Sequence, residues 1–149
     1  MKSSYTINKH IMEMTGYYDR NGNLCTLVTE TGMTFIVDKS PLEIIRDNIV
    51  CIGYDLNGAT KTARSLLGNI YNCPILVNPI DRIVIFPTLS PKHSECVWYN
   101  PVHIKRTRSL NRQTIILYSN GRTKLIRNKL AAFNCKIKQA EQLEDMTKL

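Results

Sequence analysis

No acidic residue lies between Pro101 and Ala140 in this 149-residue sequence. A gap that long excludes local charge neutralisation, because neither i,i+4 helix pairs nor cross-strand pairs can offset the basic side chains within it. Other absences exclude whole classes of protein. No window approaches the ~18 consecutive apolar residues of a membrane span. The opening residues, Met1-Lys2-Ser3-Ser4-Tyr5, lead into no apolar run with a small-residue cleavage site, so no secretory signal is expected. Five cysteines, an odd number without tight spacing, do not make a secreted disulfide framework. Walker, G-x-G-x-x-G, G-x-S-x-G and H-E-x-x-H patterns are all missing, and with them the common phosphate-cradling and hydrolytic motifs. The expectation is a cytoplasmic, non-enzymatic protein with free thiols.

What is present is an ordinary globular composition carrying an uneven charge. Hydrophobic residues make up 43% and charged residues 21%, enough apolar surface for a core. The length suits one domain, residues 1–149, with no linker or internal repeat to divide it. The net charge is +8 and the pI about 9.4. Residues 1–60 hold five basic residues against seven acids, and residues 61–100 four against two. Residues 101–149 hold eleven against three. Positive charge concentrated in this way repels itself and suits an anionic partner.

The first forty residues read as an antiparallel meander. Asn21-Gly22 signals a hairpin between Tyr17-Tyr18 and Leu24–Thr29, and Thr31-Gly32 turns the chain into Met33–Val37. Ser40-Pro41-Leu42-Glu43 predicts a helix with a Ser N-cap, Pro at the first position and a capping box, burying Leu42, Ile45 and Ile49. A short strand near Val50–Gly53 is expected next. Asn57-Gly58 then precedes a helix from Ala59 to Leu67, ended by Gly68, with Lys61 and Arg64 on one face. Prolines bracket three short strands, Ile75–Val77, Ile83–Phe86 and Cys96–Tyr99.

The last third carries the charge on hairpins. Val102–Arg108 alternates, and Leu110-Asn111 predicts a turn into Gln113–Tyr118. Asn120-Gly121 predicts a second turn, returning through Arg122–Arg127. With a two-residue loop, Tyr118 pairs with Thr123, Leu117 with Lys124 and Ile116 with Leu125. One face is then Thr114, Ile116, Tyr118, Thr123 and Leu125, and the other combines Ile115, Leu117 and Ile126 with Arg122 and Lys124. A one-residue slip exchanges the faces. From Asn128 as N-cap, Leu130, Phe133, Ile137 and Ala140 recur at helical spacing, leaving Lys129, Lys136 and Lys138 on the exposed side. The fold class expected is α+β: short antiparallel strands and hairpins in one mixed core, two short helices mid-chain and an amphipathic C-terminal helix.

Other chemistry is thinly supported. His93, Cys96 and His103 lack the paired-ligand spacing of structural zinc sites, so no metal and no cofactor is expected. Cys25, Cys51, Cys73 and Cys135 read as core thiols, no local signature supports a catalytic Cys–His pair, and Trp98 reads as a core anchor. No paired exposed aromatics suggest an RNA-binding sheet. A regulatory module whose basic surface meets an acidic protein is the alternative to DNA.

Several short blocks occur in a consistent order: Lys39-x-Pro41-Leu42-x-Ile44-Ile45, Pro74–Pro79, Phe86–Ser90, Cys96-x-Trp98, Val102–Lys105 and Ser119–Thr123. Over residues 30 to 127 they resemble ComK, the competence transcription factor family of Gram-positive bacteria. The resemblance implies a DNA-binding activator of DNA-uptake genes that acts on double-stranded DNA bearing paired AT-rich boxes. It implies dimers assembling to tetramers, approach through the minor groove, DNA bending, and a nucleoid location. It further implies control by an adaptor that delivers the protein to an ATP-dependent protease through a C-terminal tail, and nothing after Leu143 resembles that tail. Narrow A-tract minor grooves attract inserted arginine and lysine. The candidate DNA contacts are Lys105, Arg106, Arg108, Arg112, Asn120, Arg122, Lys124, Arg127 and Lys129, with Lys61, Arg64 and Asn57 as a second patch.

Overall fold

The computed structural model describes residues 1–53, 55–68 and 70–148. Among them are nine strands and three helices, all strand pairs being antiparallel. The meander forms as expected: β1 (Ile11–Tyr18), β2 (Leu24–Glu30) and β3 (Thr34–Val37). β4 (Ile75–Asn78), β5 (Ile83–Pro87) and β6 (Val97–Tyr99) extend it into a six-stranded sheet ordered β3-β2-β1-β6-β5-β4. β7 (Ile104–Leu110), β8 (Gln113–Tyr118) and β9 (Thr123–Ile126) make a second, three-stranded sheet in that order.

Alternation along the central strands sends side chains to both faces of the large sheet. The single core expected from sequence is therefore two cores. On one face Ile11, Met14, Val28, Ile85 and Trp98 pack against Ile44, Ile45 and Ile49 of α1 (Pro41–Val50). On the other, Met12, Val84, Phe86 and Tyr99 meet Ile116, Tyr118 and Ile126 of the small sheet and Phe133, Ala140 and Leu143 of α3 (Leu130–Met146). Phe133 stands edge-on to both Phe86 and Tyr99, with ring centroids 5.7 and 5.3 Å away. The layers are thus α1, the large sheet, and a third layer of small sheet and α3. The helix α2 (Leu56–Leu67) contributes Ala63 to the second core.

Local chemistry explains most boundaries. The Ser40 hydroxyl accepts from the Glu43 N–H while the Glu43 carboxylate accepts from the Ser40 N–H, the expected capping box. Four boundaries differ. The strand expected at Val50–Gly53 is absent, because α1 continues to Val50 and Cys51–Gly53 form its terminating turn. α2 starts earlier than expected: Asp55 caps it by accepting from the Gly58 N–H, so Asn57 and Gly58 lie in its first turn. α3 begins after Lys129 rather than Asn128. The turn after β7 is Asn111-Arg112, both left-handed at φ 49° and 66°, with Leu110 opposite Gln113.

The Asn-Gly turns depart from two-residue geometry in the same way. Tyr118 N–H donates to Arg122 O and Gly121 N–H to Tyr118 O, so Ser119-Asn120-Gly121 is a three-residue loop with Gly121 at φ 88°. Arg20-Asn21-Gly22 repeats the pattern between Asp19 and Asn23. Such loops consist of a type I turn closed by a left-handed glycine. The extra residue moves β9 one place: Leu117 faces Thr123 and Ile116 faces Lys124.

The thiols also divide. Cys25, Cys73 and Cys96 are buried, but Cys51 and Cys135 are exposed. Cys51 lies in the turn after α1, and Cys135 falls off the Phe133–Ala140 stripe of α3. Trp98 is fully buried, as expected of an anchor.

Candidate nucleic-acid interface

Cross-strand partners share a face, so the pairing of β7, β8 and β9 assigns every side chain of the small sheet. A β-bulge at Lys105 shifts the register of β7 between Ile104 and Arg106. Beyond it, Arg106 lies beside Leu117 and Thr123, Arg108 beside Ile115 and Leu125, and Leu110 beside Gln113. These form the outer face. Thr107, Ser109, Thr114, Ile116, Lys124 and Ile126 belong to the inner face, which covers the second core. Thr107 confirms the orientation, its hydroxyl lying 2.6 Å from the Asn134 Oδ1 of α3.

The outer face combines exposed arginines with the half-buried Ile115 and Leu117 and the exposed Leu110 and Leu125. Arg106 and Arg108 are exposed and two residues apart on one strand, a separation of roughly 6.8 Å. That is about two base-pair rises of B-DNA. Arg112 stands at the exposed hairpin tip. Because Ile126 pairs with Thr114, the chain leaves β9 at the same end of the sheet, bringing Arg127 and Lys129 toward that tip. The Thr114 hydroxyl fixes this exit by donating to Asn128 O at 2.7 Å.

The remaining candidates are placed elsewhere. Arg122 is exposed, but its loop lies at the opposite end of the sheet from Arg112. The Asn120 amide donates to Thr31 O and so ties that loop to the β2–β3 turn. Lys61, Arg64 and Asn57 are exposed on α2, which packs on α3, β4 and α1, and they form a separate surface. Lys136, expected to be solvent-facing, donates to Tyr71 O and Asn72 O, and burial lowers its pKa.

Lys124 points inward. The slipped register puts it on the core side, where Nζ lies 2.6 Å from Glu13 Oε2 and 3.3 Å from the Tyr99 hydroxyl. Glu13 is buried on β1, and its other oxygen accepts from the Tyr118 hydroxyl at 2.9 Å. Burial, with the Glu13 carboxylate beside them, pushes the Tyr99 and Tyr118 phenols well above their ordinary range. This network joins the two sheets, and sequence patterning gave no signal for Glu13 as the partner.

By contrast, among the described residues no carboxylate pairs with Lys105, Arg106, Arg108, Arg112, Arg122, Arg127 or Lys129. All seven are exposed. The candidate metal residues do not assemble: His93 Nδ1 accepts from Glu95 N–H, the Cys96 thiol faces Leu89 O, and His103 bridges Ser119 Oγ and Lys9 O. Among the described residues no helix is long and apolar enough to cross a membrane.

Comparison with known proteins gives this arrangement a lineage. A competence transcription factor from Bacillus subtilis (strain 168) is 29% identical over 104 residues, covering 69% of this chain and 54% of that protein. The chain therefore spans about half the length of the curated relative it matches. No solved structure matches the chain. The family model described as ComK protein matches residues 2–148, including the N-terminal meander and the last helix that the sequence blocks left outside. The chain belongs to the ComK family.

Proposed function

We propose that this chain is a competence transcription activator that binds double-stranded DNA at paired AT-rich boxes, as a dimer or tetramer, through the outer face and the Asn111-Arg112 tip of the small sheet. The observation that carries the reading is the set of exposed, carboxylate-free cations Arg106, Arg108, Arg112, Arg127 and Lys129 on that face and toward that tip. Unpaired guanidinium groups are weakly hydrated and suited to phosphate, and a narrow A-tract groove concentrates negative potential where they enter it. Arg106 and Arg108 meet phosphates or the groove wall, Arg112 reaches into the minor groove, and Arg127 and Lys129 hold the flanking backbone. Lys61 and Arg64 supply a second backbone contact when the DNA bends toward α2. Lys124 takes no part.

Family membership supports the DNA partner. A gel shift at physiological salt, comparing an AT-box duplex with a GC-rich duplex of equal length, tests it. Tighter binding to the AT boxes supports the reading. Equal affinities contradict sequence preference, and no binding to either duplex leaves the basic face to an acidic protein.

A further inference from the structure

The hairpin β7–β8 ends in an unusual pair of choices. Leu110, the last residue of β7, is 43% exposed and lies on the outer face in line with Arg106 and Arg108. It sits past the last β9 pair, Thr114 with Ile126, so no third strand flanks it. Arg112 follows at φ 66°, in the left-handed region that glycine occupies without steric cost. An Asn-Gly sequence suits this two-residue turn best. An arginine there gives up stability, and such residues cluster where function requires them. An exposed leucine between Arg108 and Arg112, in a stretch without acids, has a surface of the wrong sign for an ordinary apolar partner. It has the right sign for a polyanion with an apolar interior, which is what a base stack offers between adjacent steps.

We infer that Leu110 is a wedge: it enters between two base pairs from the minor groove while Arg108 holds the neighbouring phosphate and Arg112 lies in the groove beside it. This rests on the DNA reading above and assigns the residue that deforms the duplex. Apolar wedges on minor-groove proteins partly unstack a step and kink the duplex toward the major groove. Flexible pyrimidine–purine steps such as TA open most readily, so the wedge places sequence preference on a step that no hydrogen bond reads.

The test uses an AT-box duplex with 2-aminopurine at successive TA steps, titrated to saturation with the full chain. Wild-type protein raises the fluorescence at one step several-fold. Leu110→Ala still saturates the duplex, with affinity within about tenfold, but abolishes that rise, and Leu110→Met restores it. Arg112→Gly raises the melting temperature of the free protein and weakens DNA binding several-fold, because the turn relaxes as the contact is lost. The wedge is overturned if Leu110→Ala gives the wild-type fluorescence rise, or if it dissociates protein oligomers while leaving the rise intact. It is also overturned if wild-type protein saturates the duplex without any rise. A wild-type protein that binds no duplex at all rejects the DNA reading itself.

Discussion

The Lys124 ammonium lies 2.6 Å from the Glu13 carboxylate, bridging the small sheet to the first strand of the large one. Glu13 is 8% exposed and also receives the Tyr118 hydroxyl. A buried carboxylate needs such partners, and removing one leaves an uncompensated charge. Lys124→Ala is therefore expected to destabilise the fold by about 2–4 kcal/mol, less than a fully buried pair because the lysine is partly solvated. Glu13→Ala has a similar cost, and the double variant costs less than the sum. Urea denaturation of the four proteins measures the coupling. Additive effects contradict the pairing.

Alkaline pH acts on the same network. The Tyr99 and Tyr118 phenols are raised by burial first and by Glu13 second. The unfolded chain releases these protons near pH ~10, while the folded chain keeps them. Their contribution is fully present below that pH and is lost as pH rises above it. Each tyrosine adds a slope of up to about 1.4 kcal/mol per pH unit. Urea midpoints are expected to fall steeply above pH ~10, and less steeply for Tyr118→Phe. Parallel curves contradict the assignment.

The Ser40–Glu43 capping box sits far from the basic face. Ser40→Ala is expected to cost about 1 kcal/mol and to leave DNA affinity unchanged. A thermal melt and one binding titration check both halves.

This box shows what the sequence made legible. A Ser-Pro-x-Glu start, the meander and the stripe of α3 are local patterns, and local hydrogen bonds and periodicity decide them. The faces of β9 depended on loop length, and Asn-Gly fits both a two-residue loop and the end of a three-residue one. One residue moved Lys124 from the exposed face to Glu13 and Ile126 into the core. The bulge at Lys105 was equally hidden, since alternation through Ile104 and Lys105 gave no sign of an extra residue. Charge density located the basic layer, but only the register separated its free cations from the structural one.

Arg82 is a second structural cation. At φ 58° in the β4–β5 turn, its guanidinium donates to Glu144 Oε1 and O and to Thr147 O and Oγ1 at the C-terminal end of α3. It satisfies carbonyls that a helix end leaves open and interacts favourably with the helix dipole. Arg82→Ala is expected to destabilise by about 1–3 kcal/mol and to speed amide exchange in the last turn of α3. Arg82→Lys recovers only part of this, because an ammonium cannot span both partners.

In the proposed complex the free cations of the outer face, not all basic residues of the last third, meet DNA. The most direct measurement is the salt dependence of AT-box binding for wild-type protein, an Arg106→Ala/Arg108→Ala/Arg112→Ala triple variant and Lys124→Met. Each lost phosphate contact lowers the slope of log K against log salt by about 0.9. The triple variant is expected to lose about two to three units of slope and Lys124→Met none. A triple variant with the wild-type slope, or a Lys124→Met protein that is folded and loses a full unit, contradicts the account.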